Sequence, residues 1–249
     1  MDCDNQHGIG PGIFITFEGG EGAGKTTHIN FLAQVLRNQG HEVLCLREPG
    51  GTAIGESLRH IVLDVENAAL CDETELFIME AARAQIVSEV IKPALSRGAV
   101  ILCDRFYDST MAYQVYGRGL PESFVRQANC MACQGVHPCR TILLTTGASA
   151  EAGLLRATHH SGADRMEAVG ADFHAKVNAG FLKMAEESPE RIRVVVSAEK
   201  KSQTARAVFI ELADIFDWDV ADSVFASDFF AELDAKKPEV SKASIQAGV

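Results

Sequence analysis

Eight residues, Gly19-Gly20-Glu21-Gly22-Ala23-Gly24-Lys25-Thr26, constrain this chain more than any other stretch. They follow the pattern G-x-x-x-x-G-K-T. Before them lies an apolar, β-rich run, Ile13-Phe14-Ile15-Thr16-Phe17. After them, residues 26–39 carry helical spacing in Ile29, Leu32, Ala33 and Leu36, with Gly40 as a stop. A strand, a glycine turn and a helix in that order aim several backbone N–H groups at one point, where the helix N-terminus adds its positive dipole. Such a cradle holds phosphate oxygens. Lys25 is expected to reach the β- and γ-phosphates of ATP and Thr26 to ligate Mg²⁺. The expected ATP-binding set is Gly19, Gly20, Glu21, Gly22, Ala23, Gly24, Lys25, Thr26 and Thr27.

The rest of the chain supplies the sheet such a cradle needs. Residues 42–46, 100–103, 141–145 and 192–196 read as four more short apolar strands. Helices are expected over 55–63, 73–96 (with Pro93 near the end), 109–116, 122–133, 150–157, 172–187 and 203–218. Strands alternating with helices call for an α/β fold of three layers, with a five-stranded parallel sheet covered on both faces. The expected division is a flexible extension over 1–12, one domain over 13–218 with a short lid near 155–170, and an extension over 219–249. In that last part Val224, Phe225, Phe229, Phe230 and Leu233 fit one amphipathic helix, and the polar stretch after Lys236 reads as disordered.

The formal net charge of −11 repels polyanions, so no polymeric nucleic acid is expected as a partner. Cations must instead be gathered locally. No run of 18 apolar residues suggests a membrane span, and the polar start lacks a signal-peptide pattern, so a cytoplasmic location is expected. Seven cysteines without a secretion signal argue against a disulfide framework. Cys45 and Cys103 sit in apolar runs and read as buried small side chains. Cys130, Cys133, His137 and Cys139 offer four zinc-ligand types, but the spacing is unusual and ordinary packing is the preferred reading.

Asp104 follows four apolar residues, as an acid placed at a strand's carboxyl end to face Mg²⁺ would. Arg105 comes next, and Arg47-Glu48-Pro49-Gly50-Gly51-Thr52 follows the second strand. Both arginines are therefore expected at the carboxyl edge of the sheet, where two guanidinium groups can clamp an acceptor phosphate.

Taken jointly, several segments resemble bacterial thymidylate kinase. They are the glycine turn, the Arg47 to Thr52 loop, and Asp104-Arg105-Phe106-Tyr107-Asp108-Ser109-Thr110-Met111-Ala112-Tyr113-Gln114. Ala81-Ala82-Arg83-Ala84-Gln85, Gly117-Arg118-Gly119-Leu120 and Asp164-Arg165-Met166-Glu167 extend the match, which covers residues 13–218. The resemblance implies phosphoryl transfer from ATP to dTMP. It assigns Arg47 and Arg105 to the dTMP phosphate, Arg83 to the thymine edge, and Thr110, Tyr113 and Gln114 to the base and sugar. A close-packed Tyr113 would disfavour a ribose 2′-hydroxyl. Glu21 matches the acid near the sugar 3′-hydroxyl, and Asp104 the acid near Mg²⁺ and the transferred group. A homodimer is also implied.

Three departures stand out. Met79 occupies the position where the family carries a thymine-stacking Phe; Phe77, two residues away on the helix, is expected to point elsewhere. The lid offers only Arg156 and Arg165 as cations, with Thr158, His159 and His160 where basic residues are common; Arg156 is the candidate catalytic cation. After the fourth strand the usual acid is missing, and the chain reads Leu144-Thr145-Thr146-Gly147. Two other functions therefore stay open: a kinase of the same fold with another small nucleotide acceptor, and a non-catalytic nucleotide-binding protein. A GTP-driven switch is disfavoured, since no Asn-Lys-x-Asp segment occurs.

Overall fold

The computed structural model describes residues 10–20, 22–146, 164–219 and 229–235. Strands β1 (Ile13–Glu18), β2 (Val43–Arg47), β3 (Val100–Asp104), β4 (Arg140–Thr145) and β5 (Ile192–Val196) form one parallel sheet in the order β2-β3-β1-β4-β5. The expected strands are all present, each within a residue of its predicted start.

The helices are α1 (Lys25–Asn38), α2 (Ala53–Leu63), α3 (Asp72–Ile86), α4 (Lys92–Ser96), α5 (Tyr107–Thr110), α6 (Glu122–Cys133), α7 (Ala171–Glu187), α8 (Lys201–Ile210), α9 (Ala213–Phe216) and α10 (Glu232–Ala235). Successive side chains of a strand point to opposite faces, and here both faces are covered. Ile15, Phe17 and Leu102 pack with Leu32 and Leu36 of α1 and Val208 and Phe209 of α8. Phe14, Ile101 and Cys103 pack oppositely, against Ile86, Val87 and Ile91. A third cluster joins Leu76 and Val125 to Phe173, Val177 and Phe181 of α7, beside the carboxyl edge.

Three helical expectations differ in detail. The predicted helix over 73–96 is interrupted by a wider, π-type turn over Val87–Ile91. The interruption coincides with Pro93, which brings no N–H for the carbonyl one turn earlier. A second such turn, Met111–Gly117, follows α5 directly. The predicted helix over 203–218 ends at Ile210, resumes as α9, and turns at Asp217 (φ 53°). That turn lays Trp218 against Phe209 and Phe216, with ring centroids 5.1 and 4.8 Å apart. Beyond it, Phe230 and Leu233 return to the α1 and α8 side of the core. The predicted helix over 150–157 and residues 220–228 lie outside the described residues.

The four residues Cys130, Cys133, His137 and Cys139 do not form a metal-binding group among the described residues. Cys133 is buried, and Cys139 donates to the Phe14 carbonyl at 3.2 Å. Cys103 is fully buried, as its apolar setting predicts, whereas Cys45 is partly exposed.

Candidate active site

The sheet's switch point lies where β1 and β3 pair, and their carboxyl ends carry the first functional groups. After β1 the chain turns at Gly19 (φ 133°), where a Cβ would lie 2.2 Å from the Leu144 carbonyl oxygen; only glycine fits. Gly24, left-handed at φ 89°, then starts α1. Lys25, largely buried, donates through Nζ to the carbonyls of Gly19 (3.2 Å) and Gly20 (3.3 Å) and lies 3.9 Å from Asp104 Oδ1. Thr26 Oγ1 donates to Asp104 Oδ2 at 3.2 Å. A hydroxyl and a carboxylate so close beside a phosphate cradle are hard oxygen donors of the kind Mg²⁺ takes, so these residues fit that ion.

Ladder register places the next groups. Asp104 is the register partner of Phe17 on one flank and of Arg47 on the other. Arg47 is oriented by Glu56, whose Oε2 accepts from Nη2 at 2.9 Å while Oε1 accepts from Gly51 N at 2.8 Å. Thr52 closes the loop by accepting from Gly55 N and capping α2. Arg105 takes a backbone conformation rare for a side-chain-bearing residue, φ 73°. Its guanidinium donates to Ser109 Oγ at 3.1 Å and lies over the Tyr113 ring at 5.2 Å.

Glu18 holds this arrangement from beneath. Its carboxylate accepts from Phe106 N (2.8 Å), Ser109 N (3.3 Å) and Ser109 Oγ (2.6 Å). Complete burial, and then the nearby Asp108, push its carboxyl up to about 7.

Arg83 on α3 is buried between two acids. Nε and Nη2 donate to Glu48 Oε2, and Nη1 meets Glu80, Thr110 and Asn129 at 2.7–2.9 Å. Burial alone would favour the neutral guanidine, but Glu48 and Glu80 outweigh it and keep Arg83 charged. Burial likewise raises both acids, Glu48 to about 7. The Glu48–Pro49 peptide is cis.

These groups line one cavity of about 470 Å³. Gly22 to Thr27 and Asp104 form one end. Arg47, Met79, Arg83, Arg105, Thr110, Tyr113 and Gln114 form the rest, together with Asp164, Met166 and Glu167. Of the sequence-predicted site residues, Glu21 and Arg156 lie outside the described residues. Phe77 is 54% exposed and meets Phe124 edge-on, away from the cavity.

Arg165, which the sequence offers beside Arg156 as a cation of the lid, is engaged elsewhere. Its Nε donates to the Val62 carbonyl at 2.8 Å and its Nη2 to the buried Glu75, and it does not line the cavity. A buried carboxylate on α3 holds that guanidinium.

Arg59 was missed altogether. It lines the cavity and donates to the Pro49 carbonyl at 2.9 Å. Burial and then neighbouring Arg47 pull its guanidinium below the ordinary value, and Arg105 adds to the pull. Arg47 and Arg105 thus repel Arg59 around one space, and Glu56 and Asp164 partly offset them. Nothing in local spacing separates Arg59 from a solvent-facing helix charge. Glu18 left a signal, an acid closing an apolar strand directly before the cradle.

Comparison with known proteins agrees with this geometry. The family model described as thymidylate kinase matches residues 17–208. The thymidylate kinase of Geotalea uraniireducens is 46% identical over 203 residues, covering 79% of this chain and 94% of that protein. That of Geobacter sulfurreducens is 44% identical over 201 residues, with the same coverage. The crystal structure of thymidylate kinase from Ehrlichia chaffeensis superposes with a TM-score of 0.66 at 31% identity, covering 83% of this chain and all of that one. With a phosphate cradle, an acid at the neighbouring strand end and an arginine-ringed cavity joining them, the chain belongs to the thymidylate kinase family.

Proposed function

We propose that this chain transfers the γ-phosphoryl group of ATP to dTMP, giving ADP and dTDP. The supporting observation is that a single cavity runs from the phosphate cradle to the arginine cluster, so two nucleotides can meet in line within it. The γ-phosphorus–bridging oxygen bond breaks as a dTMP phosphate oxygen bonds to the same phosphorus. The protein's work is positioning and charge neutralisation rather than covalent chemistry.

In this reading Lys25 grips the β- and γ-phosphates, while Arg47 and Arg105 hold the acceptor phosphate, with Arg59 adding charge behind them. Thr26 and Asp104 would hold Mg²⁺, which would supply positive charge against the charge developing on the phosphates. Arg83 faces the thymine edge, Met79 covers the base, and Thr110 and Tyr113 pack near the sugar. Glu21 and Arg156 keep the roles read from the sequence, the 3′-hydroxyl of the acceptor for Glu21 and the catalytic cation for Arg156. The protein works in the cytoplasm as a homodimer.

The test is coupled ADP release with a panel of dTMP, dUMP, dCMP and purine monophosphates. The expected result is the highest kcat/KM for dTMP. Lys25→Ala should lower kcat by roughly 10²–10³-fold with an unchanged circular dichroism spectrum; near-normal turnover would refute the cradle assignment. Met79 supports a second reading, a kinase of another small nucleotide, and a different best substrate in the same panel would select it.

A further inference from the structure

Glu75 lies eight residues before Arg83 on α3 and is completely buried. Its Oε1 accepts from Gln114 Nε2 at 2.8 Å and from Arg118 Nε at 3.2 Å. Its Oε2 accepts from Arg118 Nη2 at 2.9 Å and from Arg165 Nη2. One carboxylate therefore holds a cavity-lining amide, the turn after α5, and the segment that carries Asp164, Met166 and Glu167 to the cavity wall.

The chemistry of that carboxylate fixes the amide. Burial would push the Glu75 carboxyl up, but the hydrogen bonds from Arg118 and Arg165 outweigh burial and hold it below the usual range. An ionised carboxylate accepts only. Gln114 can then offer Glu75 only its NH₂ end, although an amide between neutral groups can turn either way. Its Oε1 is the end left over, and no described residue donates to it.

We propose that Glu75 is a specificity-positioning residue, which fixes Gln114 Oε1 as an acceptor facing the acceptor nucleotide's base. Arg83, a donor, lines the same cavity. An acceptor next to a donor complements a pyrimidine edge with N3–H beside a C4 carbonyl. It mismatches an edge with a bare N3 beside a C4 amino group. The selection rests on the dTMP reading above, and it compensates for the shape selectivity that Met79 gives up.

The test is kcat/KM for dTMP, dUMP and dCMP in wild type and Glu75→Gln. An amide at position 75 can donate or accept, so Gln114 is no longer locked. The expected result is a fall of about tenfold for dTMP and dUMP, carried by KM, with dCMP unchanged and the KM for ATP unmoved. A merely structural role would lower all three alike, and that outcome, or an unchanged dTMP-to-dCMP ratio, overturns the proposal. If Glu75→Gln does not fold, the wild type decides by side-chain NMR of Gln114. On adding dTMP its Cδ carbonyl should shift while its Nε2 protons stay in place; the reverse pattern overturns the proposal. The wild-type panel reports on the function and the change between proteins on Glu75, so the two failures are distinguishable.

Discussion

Arg105 shows at the scale of one residue how the site is assembled. A φ of 73° for a residue with a side chain costs about 1 kcal/mol relative to the right-handed region. The cost is met by its N–H donating to the Phe17 carbonyl at 3.0 Å and by the anchored guanidinium. Observed strain at a cavity-lining cation is the usual direction of inference toward function. Arg105→Gly should relax the backbone while removing the clamp. The expected outcome is a loss of roughly 10²–10³-fold in kcat/KM for dTMP. Arg105→Gly should also unfold in urea at higher concentration than Arg105→Ala, by about 1 kcal/mol, because alanine keeps the strain. Equal stability of the two would show that the backbone carries no strain there.

Among the secondary-structure elements, the end of β1 is joined to the start of α5 by Glu18. Its carboxyl, at about 7 in the folded chain against 4.5 ordinarily, supplies stability that is complete below pH 4.5 and is lost as pH rises through 7. Glu18→Gln removes that dependence. Measured by urea unfolding, the variant should gain on the wild type by roughly 2–3 kcal/mol between pH 5 and 8. Glu48 titrates in the same window in both proteins and cancels in the difference. A flat difference would sink the assignment to Glu18. What was legible in the sequence also divides at this scale. Apolar runs and the glycine spacing reveal the strands, the cradle and Asp104, because those signals are local. The π turn at Val87–Ile91 and the fate of Arg165 are not local. The first depends on how Pro93 is accommodated, and the second on a carboxylate 90 residues earlier in the chain. Arg59 enters the site only because α2 folds back beside the Arg47 loop.

Across the whole molecule, an acidic chain concentrates Lys25, Arg47, Arg59, Arg83 and Arg105 around one cavity. Glu48 and Glu80 answer Arg83, whereas Arg47 and Arg105 repel Arg59 with partial relief from Glu56 and Asp164. Bound dTMP at a hundred times its Kd should therefore stabilise the protein by about 2.7 kcal/mol, a rise in Tm of roughly 5–10 °C. Thymidine, lacking the phosphate, should give far less, and 0.5 M salt should blunt the dTMP effect. Thermal unfolding with each ligand at two salt concentrations checks this, and equal shifts from dTMP and thymidine would remove the phosphate clamp from the account.

The register of the central strands has a consequence for what relatives of this chain can become. Asp104 and Arg47 occupy one rung of the ladder, so the offset between their backbones, one the proposed metal-side acid and the other the proposed acceptor anchor, is set by the pitch of hydrogen-bonded strands, about 4.8 Å. Side-chain replacement can alter what is offered on either side of that gap but not its width. A variant that must accommodate a bulkier recipient has to remodel the loops after the strands, since the sheet itself permits no adjustment.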